Sequence, residues 1–264
     1  MYDLGHTPFF KEGGSSALIY LYEGTPGSGK SFHVCSRIYR LLRYGRANVI
    51  ANFPVDVERI FLSRLGQLKA WVARRFGVVF PSSSWDYRPV TGHYLYMENS
   101  EMTVERLKEI CYLHHKYKVS SINGEEQRVY LENQTLLVID ECAVLFNCRQ
   151  WGDRSRAEWC EFFTQHRKYG YNIILVAQHE RMLDRQIRYL IEIFVTHRNC
   201  RYWKTPAKVL SLLLGGSLFV VLYRWQGCRE IMNTELYRYR PRIAAIYNSY
   251  LIFQPRSEKS ADAG

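Results

Sequence analysis

Ile19-Tyr20-Leu21-Tyr22-Glu23-Gly24-Thr25-Pro26-Gly27-Ser28-Gly29-Lys30-Ser31 is the stretch on which the fold turns. Leu18 to Tyr22 is short and apolar, which suits a buried strand entering a turn at Glu23-Gly24. Gly24 to Ser31 fits the P-loop pattern G-x-x-x-x-G-K-S. Behind it Phe32, Cys35, Ile38, Leu41 and Leu42 recur at helical spacing, and Gly45 follows as a stop signal. In that strand–loop–helix context glycines let successive backbone N–H groups curl towards an anion. The new helix adds its positive dipole end. Gly24, Thr25, Pro26, Gly27, Ser28, Gly29, Lys30 and Ser31 are therefore the expected nucleotide-binding residues. Lys30 would reach the β- and γ-phosphates, and Ser31 would bind magnesium (Mg2+) through its hydroxyl. The competing reading, a glycine-rich turn that binds nothing, has the flanking strand and helix against it.

Outward from this stretch, further apolar strands are expected at Asn48 to Phe53, Thr135 to Ile139, Asn172 to Ala177 and Ile193 to Thr196. Between them a helix capped by Ser155 carries Trp159, Phe162, Phe163 and His166, and Asp184 to Ile191 forms a shorter one. Apolar strands alternating with helices predict an α/β fold, a mostly parallel sheet between helix layers. Such a strand delivers Asp140-Glu141 to its carboxyl end, where ligands gather in open sheets. Asp140 is the expected magnesium ligand and Glu141 the base that polarises a water. Gln178, at the tip of the next strand, carries an amide suited to the γ-phosphate or that water, or is simply a turn residue. His179 reads as structural. An arginine finger is sought among Arg149, Arg154, Arg156, Arg167, Arg185 and Arg188, with Arg167 the first choice.

Residues 54 to 130 are less regular and read as an insertion within the P-loop domain, which spans 18–253. Helices are expected at Leu62 to Phe80 and Thr103 to Tyr117, with a short strand at Tyr94 to Met97. Asn123-Gly124 marks a turn. Residues 1–17 read as a flexible arm and 254–264 as a disordered tail. Val209 to Tyr223 falls short of the roughly 20 apolar residues that a spanning helix needs. Gly215-Gly216 between two β-prone runs instead predicts a small C-terminal hairpin near 209 to 225. No transmembrane span is expected within this chain.

The 36 Lys and Arg exceed the 25 Asp and Glu, a net charge of +11 that favours nucleic acid or anionic lipid, or merely keeps the surface soluble. The 7 cysteines are scattered without a C-x-x-C pair, which speaks against zinc and against a disulfide framework.

At four stretches the chain resembles the zonula occludens toxin (Zot) family of filamentous-phage assembly ATPases: Ile19 to Ser31, Val49 to Phe53, Leu136 to Cys142, and His166 to Gln178. Their order and spacing carry the resemblance, since a P-loop alone is shared by many unrelated proteins. It implies a relative of the ring-forming DNA-pumping ATPases, working at the cytoplasmic face of the host inner membrane to drive phage assembly and export. Lys30, Ser31, Asp140 and Glu141 would then carry the roles argued above. ATP and Mg2+ are the implied cofactors. The implied partners are further copies in a ring, phage coat or membrane assembly proteins, and single-stranded DNA. A DNA translocase or packaging ATPase, and a nucleotide-dependent scaffold that does not hydrolyse, remain the alternatives. Family members commonly continue into a membrane span, so either this is the cytosolic portion or it docks on a separate membrane partner.

Overall fold

The computed structural model describes residues 17–247, apart from 46, 82, 84, 86, 88–91, 123–124, 147–153, 203–216 and 228–229. In chain order, β1 (Ile19–Glu23) feeds the glycine loop and α1 (Lys30–Arg40), which continues as a π-helical turn to Gly45. Then come β2 (Asn48–Ala51), α2 (Val57–Phe61), α3 (Arg64–Phe76), β3 (Tyr94–Tyr96) and α4 (Val104–His114). β4 (Tyr117–Ile122), β5 (Glu125–Tyr130), β6 (Thr135–Ile139), α5 (Arg154–Gln165), β7 (Tyr171–Val176) and α6 (Arg185–Leu190) follow. β8 (Ile193–Asn199), β9 (Leu218–Trp225), β10 (Ile231–Arg238) and α7 (Pro241–Ala244) complete the chain.

Eight strands form one sheet in the order β10-β9-β8-β1-β7-β6-β2-β3. From β8 to β3 every pairing is parallel. Register places Leu21, Leu175 and Ile139 in one row across β1, β7 and β6. Every residue of those three strands is buried, as a sheet covered on both faces requires. One core layer packs Tyr20, Tyr22, Val138 and Ile174 against Val34, Cys35 and Ile38 of α1, Ile60 of α2 and Ile243 of α7. The opposite layer packs Leu21, Leu137 and Ile173 against Leu107 of α4, Phe162 and Phe163 of α5 and Ile187 of α6. The fold is thus the expected α/β P-loop NTPase architecture.

Order in the sheet decides the site. The chain leaves β1, crosses beyond β6 to β2, and comes back through β6 and β7 before crossing to β8. The reversal lies beside β1, so the loops after β1, β7 and β6 open at one edge, where α/β sheets bind ligands.

Three regions differ from expectation. A C-terminal hairpin is present, but its arms are β9 and β10, and β9 runs antiparallel to β8, so the hairpin extends the main sheet. The turn expected at Gly215-Gly216 lies outside the described residues, as do the 1–16 part of the arm and the tail. β4 pairs with β5 as a separate two-stranded sheet and begins at Tyr117, where the expected helix was to end; that helix stops at His114. Within 54–130, β3 nonetheless joins the main sheet beside β2, and Met97, Met102 and Val104 enter the second core layer.

Candidate functional site

The glycine loop has the conformation its residues allow. Gly24 and Gly29 hold φ of 146° and 97°, values that side-chain-bearing residues rarely adopt. A Cβ on Gly24 would come within 2.6 Å of the His197 carbonyl oxygen, and one on Gly29 within 2.6 Å of the Phe219 ring. The loop is therefore pressed against β8 and β9. Gly24 N–H donates to the Gln178 carbonyl at 3.2 Å, and Asn199 Nδ2 donates to the Gly27 carbonyl at 3.1 Å. Lys30 Nζ folds back onto the Gly24 and Thr25 carbonyls at 2.5 and 3.2 Å.

Two features suit this loop to a phosphate. The start of α1 has no side-chain cap and no acidic residue in its first turn, which leaves its N–H groups facing outward. Ser28 Oγ is buried without a hydrogen-bond partner, an orphaned polar atom in the loop wall.

Asp140 and Glu141 follow β6. Asn52, just past β2, clamps Asp140 by accepting from its N–H at 2.7 Å and donating to its carbonyl at 2.8 Å. Asn52 also donates to Asn99 at 2.8 Å. Asp140 Oδ1 accepts from Glu141 N–H at 2.9 Å, and Oδ2 accepts from the Tyr247 hydroxyl at 3.3 Å. The Ser31 hydroxyl lies near the same Tyr247 hydroxyl. Tyr247 therefore lies close to both side chains from which a metal position was expected. Among the described residues no group of three or more His, Cys, Asp or Glu could hold a metal by itself. Any ion here would need ligands from phosphate or water as well as Ser31 and Asp140. That donor set, hydroxyl and carboxylate oxygen, suits a hard divalent cation.

Charges agree with this proximity. Burial pushes the Asp140 carboxyl up, and the Glu141 charge adds to it against the Glu141 N–H bond and the Lys30 ammonium. Burial pushes Lys30 down, opposed by Asp140 and then Glu141. Glu141 is exposed and adopts φ 48°, a left-handed conformation uncommon outside glycine. Strained backbone of this kind costs on the order of 1–3 kcal/mol and clusters at functional sites.

Beneath the loop lies a buried histidine pair. His197 Nδ1 faces the Glu23 and Val195 carbonyls at 3.2 and 3.0 Å, so it carries the proton. Its Nε2 then accepts from His33 Nδ1 at 2.8 Å. Burial holds His197 down to about 3 and His33 well below its ordinary value, so both rings are neutral. Glu23, the residue before the loop, accepts from Thr196 at 2.8 Å and from Arg224 at 3.0 Å. These contacts brace the loop from below.

Of the other expected residues, Gln178 is exposed at the tip of β7, between the loop and Asp140, and its backbone holds Gly24. His179 caps a short 3-10 turn by accepting from Arg181 N–H, a structural role. Arg167 is not brought to this site. Its guanidinium donates to the Ala17 carbonyl at 2.9 Å and pairs with Glu192 at 3.2 Å. Ala17 precedes β1, and at about 3.3 Å per strand residue that end lies roughly 20 Å from the loop. Arg156 is paired with Asp184 at 3.1 Å, and Arg149 lies outside the described residues. Sequence reading missed Asn52 and Tyr247. A polar residue closing the apolar Val49–Phe53 run was a signal for the first; nothing local marked the second.

The chain is similar to several known proteins. The chain is 30% identical to the gene 1 protein of Escherichia phage If1 over 148 residues, 52% of this chain and 42% of that protein. The gene 1 protein of Salmonella phage IKe is 37% identical over 99 residues, 36% of this chain and 27% of that protein. The match spans less than half the length of either relative. Among solved structures, one described as an ATPase domain shares the fold, with a TM-score of 0.50 at 10% identity over 88% of this chain and 84% of that one. A match to the family described as Zonular occludens toxin (Zot) covers residues 18–207, and with its loop and strand order in place the chain belongs to that family.

Proposed function

We propose that this chain is an ATP-hydrolysing motor for phage assembly and export. The observation that carries this reading is the Tyr247 hydroxyl, bonded to Asp140 and close to Ser31, beside the Lys30 loop. It supports a shared metal position at the phosphate cradle. The N–H groups of Gly27 and of Gly29 to Ser31, with Thr25 and Pro26 shaping the turn, hold the β-phosphate, while Ser28 N–H stays on the Thr25 carbonyl at 3.1 Å. Lys30 swings from the Gly24 carbonyl to the β- and γ-phosphates. Ser31 and Asp140 would hold Mg2+, which neutralises charge on the phosphate oxygens when bound. Glu141, exposed and fixed by its backbone, accepts the proton of the attacking water. Gln178 orients that water or the γ-phosphate from between the two.

The relatives' phage origin and the family resemblance support assembly and export at the cytoplasmic face of the host inner membrane. The chain would work as a ring of identical subunits alongside coat or membrane assembly proteins, with single-stranded DNA as a further partner. The Arg167 of a neighbouring subunit, rather than the chain's own, would have to supply any finger role for that residue.

Phosphate release and fluorescent-nucleotide binding test the reading together. Glu141→Gln should keep nucleotide affinity and lower turnover by about 10²-fold or more. Lys30→Ala should weaken nucleotide binding itself. Turnover at the parent rate in the Glu141 variant would remove the assigned base. Nucleotide bound without turnover by the parent would leave a scaffold, and DNA-stimulated turnover with steep salt dependence would favour a translocase.

A further inference from the structure

α3 is an amphipathic helix turned inside out. Its small residue Gly66 is buried and Ala70 and Ala73 are half-buried, whereas Leu65, Leu68, Trp71 and Phe76 are exposed to 63%, 57%, 57% and 67%. At 100° per residue Leu65, Leu68 and Phe76 share one face, with Trp71 on its flank. None of the four enters a core layer. Val78 and Val79 prolong the apolar surface, at 44% and 92% exposure. The helix is nonetheless well made. Ser63 caps it by accepting from Gly66 N–H at 3.1 Å, and Gly77 closes it at φ 68°. Gln67 is held by Leu62 and by Arg242, so the small-residue side is the one fixed to the body.

Charge says what would cover the apolar side. From residue 64 to residue 80 there is no Asp or Glu, while Arg64, Lys69, Arg74 and Arg75 are cationic. Arg64 and Arg75 are exposed next to the apolar stripe. A second copy of a +11 chain brings more charge of the same sign. We propose that α3 and the Val78-Val79 segment form an interfacial anchor that lies in an acidic phospholipid surface, apolar face down and arginines at the headgroups. Exposed Leu, Trp and Phe, with two arginines set between Leu68 and Trp71 around the helix, is the chemistry that such surfaces select. This deepens the membrane-face reading by naming the element that makes the contact, and it does not require nucleotide.

Flotation of the purified chain with vesicles tests it, using phosphatidylglycerol mixed into phosphatidylcholine against phosphatidylcholine alone, at low and high salt. Binding to the acidic vesicles is expected, at least about tenfold weaker on neutral ones and at high salt. The double variant Leu68→Asp/Trp71→Asp should lose about tenfold or more of that binding while its thermal unfolding stays like the parent's. The more conservative Arg64→Gln/Arg75→Gln should reproduce the loss on acidic vesicles alone. Parent-like flotation of the double variant would overturn the anchor while leaving a membrane-face chain that docks elsewhere. Absence of flotation by the parent, or a change of oligomer size in the double variant by analytical ultracentrifugation without any lipid effect, would overturn it in favour of a protein-covered face.

Discussion

α1 and α3 are both short amphipathic helices without an acidic residue in the first turn, and the molecule uses them in opposite ways. α1 has no side-chain cap, and its apolar residues Val34, Cys35 and Ile38 are buried against the sheet. α3 is capped at both ends, and its apolar residues face outward. The difference teaches what a cap is for. Where a helix begins at a phosphate cradle, its free N–H groups are the binding groups, and a capping side chain would compete with the ligand. On α3 Ser63 accepts from one such group, the Gly66 N–H, and local bonds rather than core packing support the helix.

The largest effect should come from putting the same charge on each helix. Ile38→Asp buries a carboxylate at a fully buried position of α1 and should cost about 4 kcal/mol or more in urea unfolding. Leu68→Asp on α3 marks the other end of the scale, within about ±0.5 kcal/mol in the same assay. A loss at Leu68 as large as at Ile38 would mean the stripe is covered within the monomer.

Acid should expose the histidine pair under α1 next. A ring held neutral in the fold binds fewer protons than the unfolded chain between its depressed value and 6.5. Stability is therefore complete above about pH 6.5 and falls as pH drops towards about 3. The slope should approach about 1.4 kcal/mol per pH unit for each histidine. Urea midpoints across that range would show it, and His197→Gln should flatten the curve. A flat parent curve would mean the rings are charged or solvated.

A smaller effect is expected at Tyr247. Its hydroxyl bonds Asp140 beside Ser31 and must give way before Asp140 turns to an ion. Tyr247→Phe should raise the magnesium-dependent part of nucleotide affinity about threefold, the scale of one modest hydrogen bond. Titration with and without chelator separates that part. Weaker affinity in the variant would recast Tyr247 as a support for the Asp140 carboxylate.

What could be read in advance follows from contiguity. The glycine loop occupies eight adjacent residues between a strand and a helix, so its chemistry is written in one place. The Asp140-Glu141 pair is likewise announced by the apolar strand before it. Asn52 and Tyr247 reach Asp140 across separations of 88 and 107 residues, which no local pattern encodes. Arg167 sits in a plausible context, one helix end before a strand, yet that context says nothing about which end of the sheet it will occupy. The hairpin shows the same limit. Only Leu218–Trp225 overlaps the β-prone run read from the sequence, Ile231–Arg238 was not marked, and their pairing is a choice among distant edges.

The sequence by itself determined the phosphate loop, the buried parallel strands and the acidic strand tip, because glycine geometry, helix dipoles and continuous apolar runs act over a few neighbouring residues. Only the tertiary structure decided that β7 lies between β1 and β6, that Tyr247 reaches Asp140 beside Ser31, and that the apolar side of α3 is left outside. Periodicity defines two faces of a helix, and the space available against the sheet selects the one that is covered.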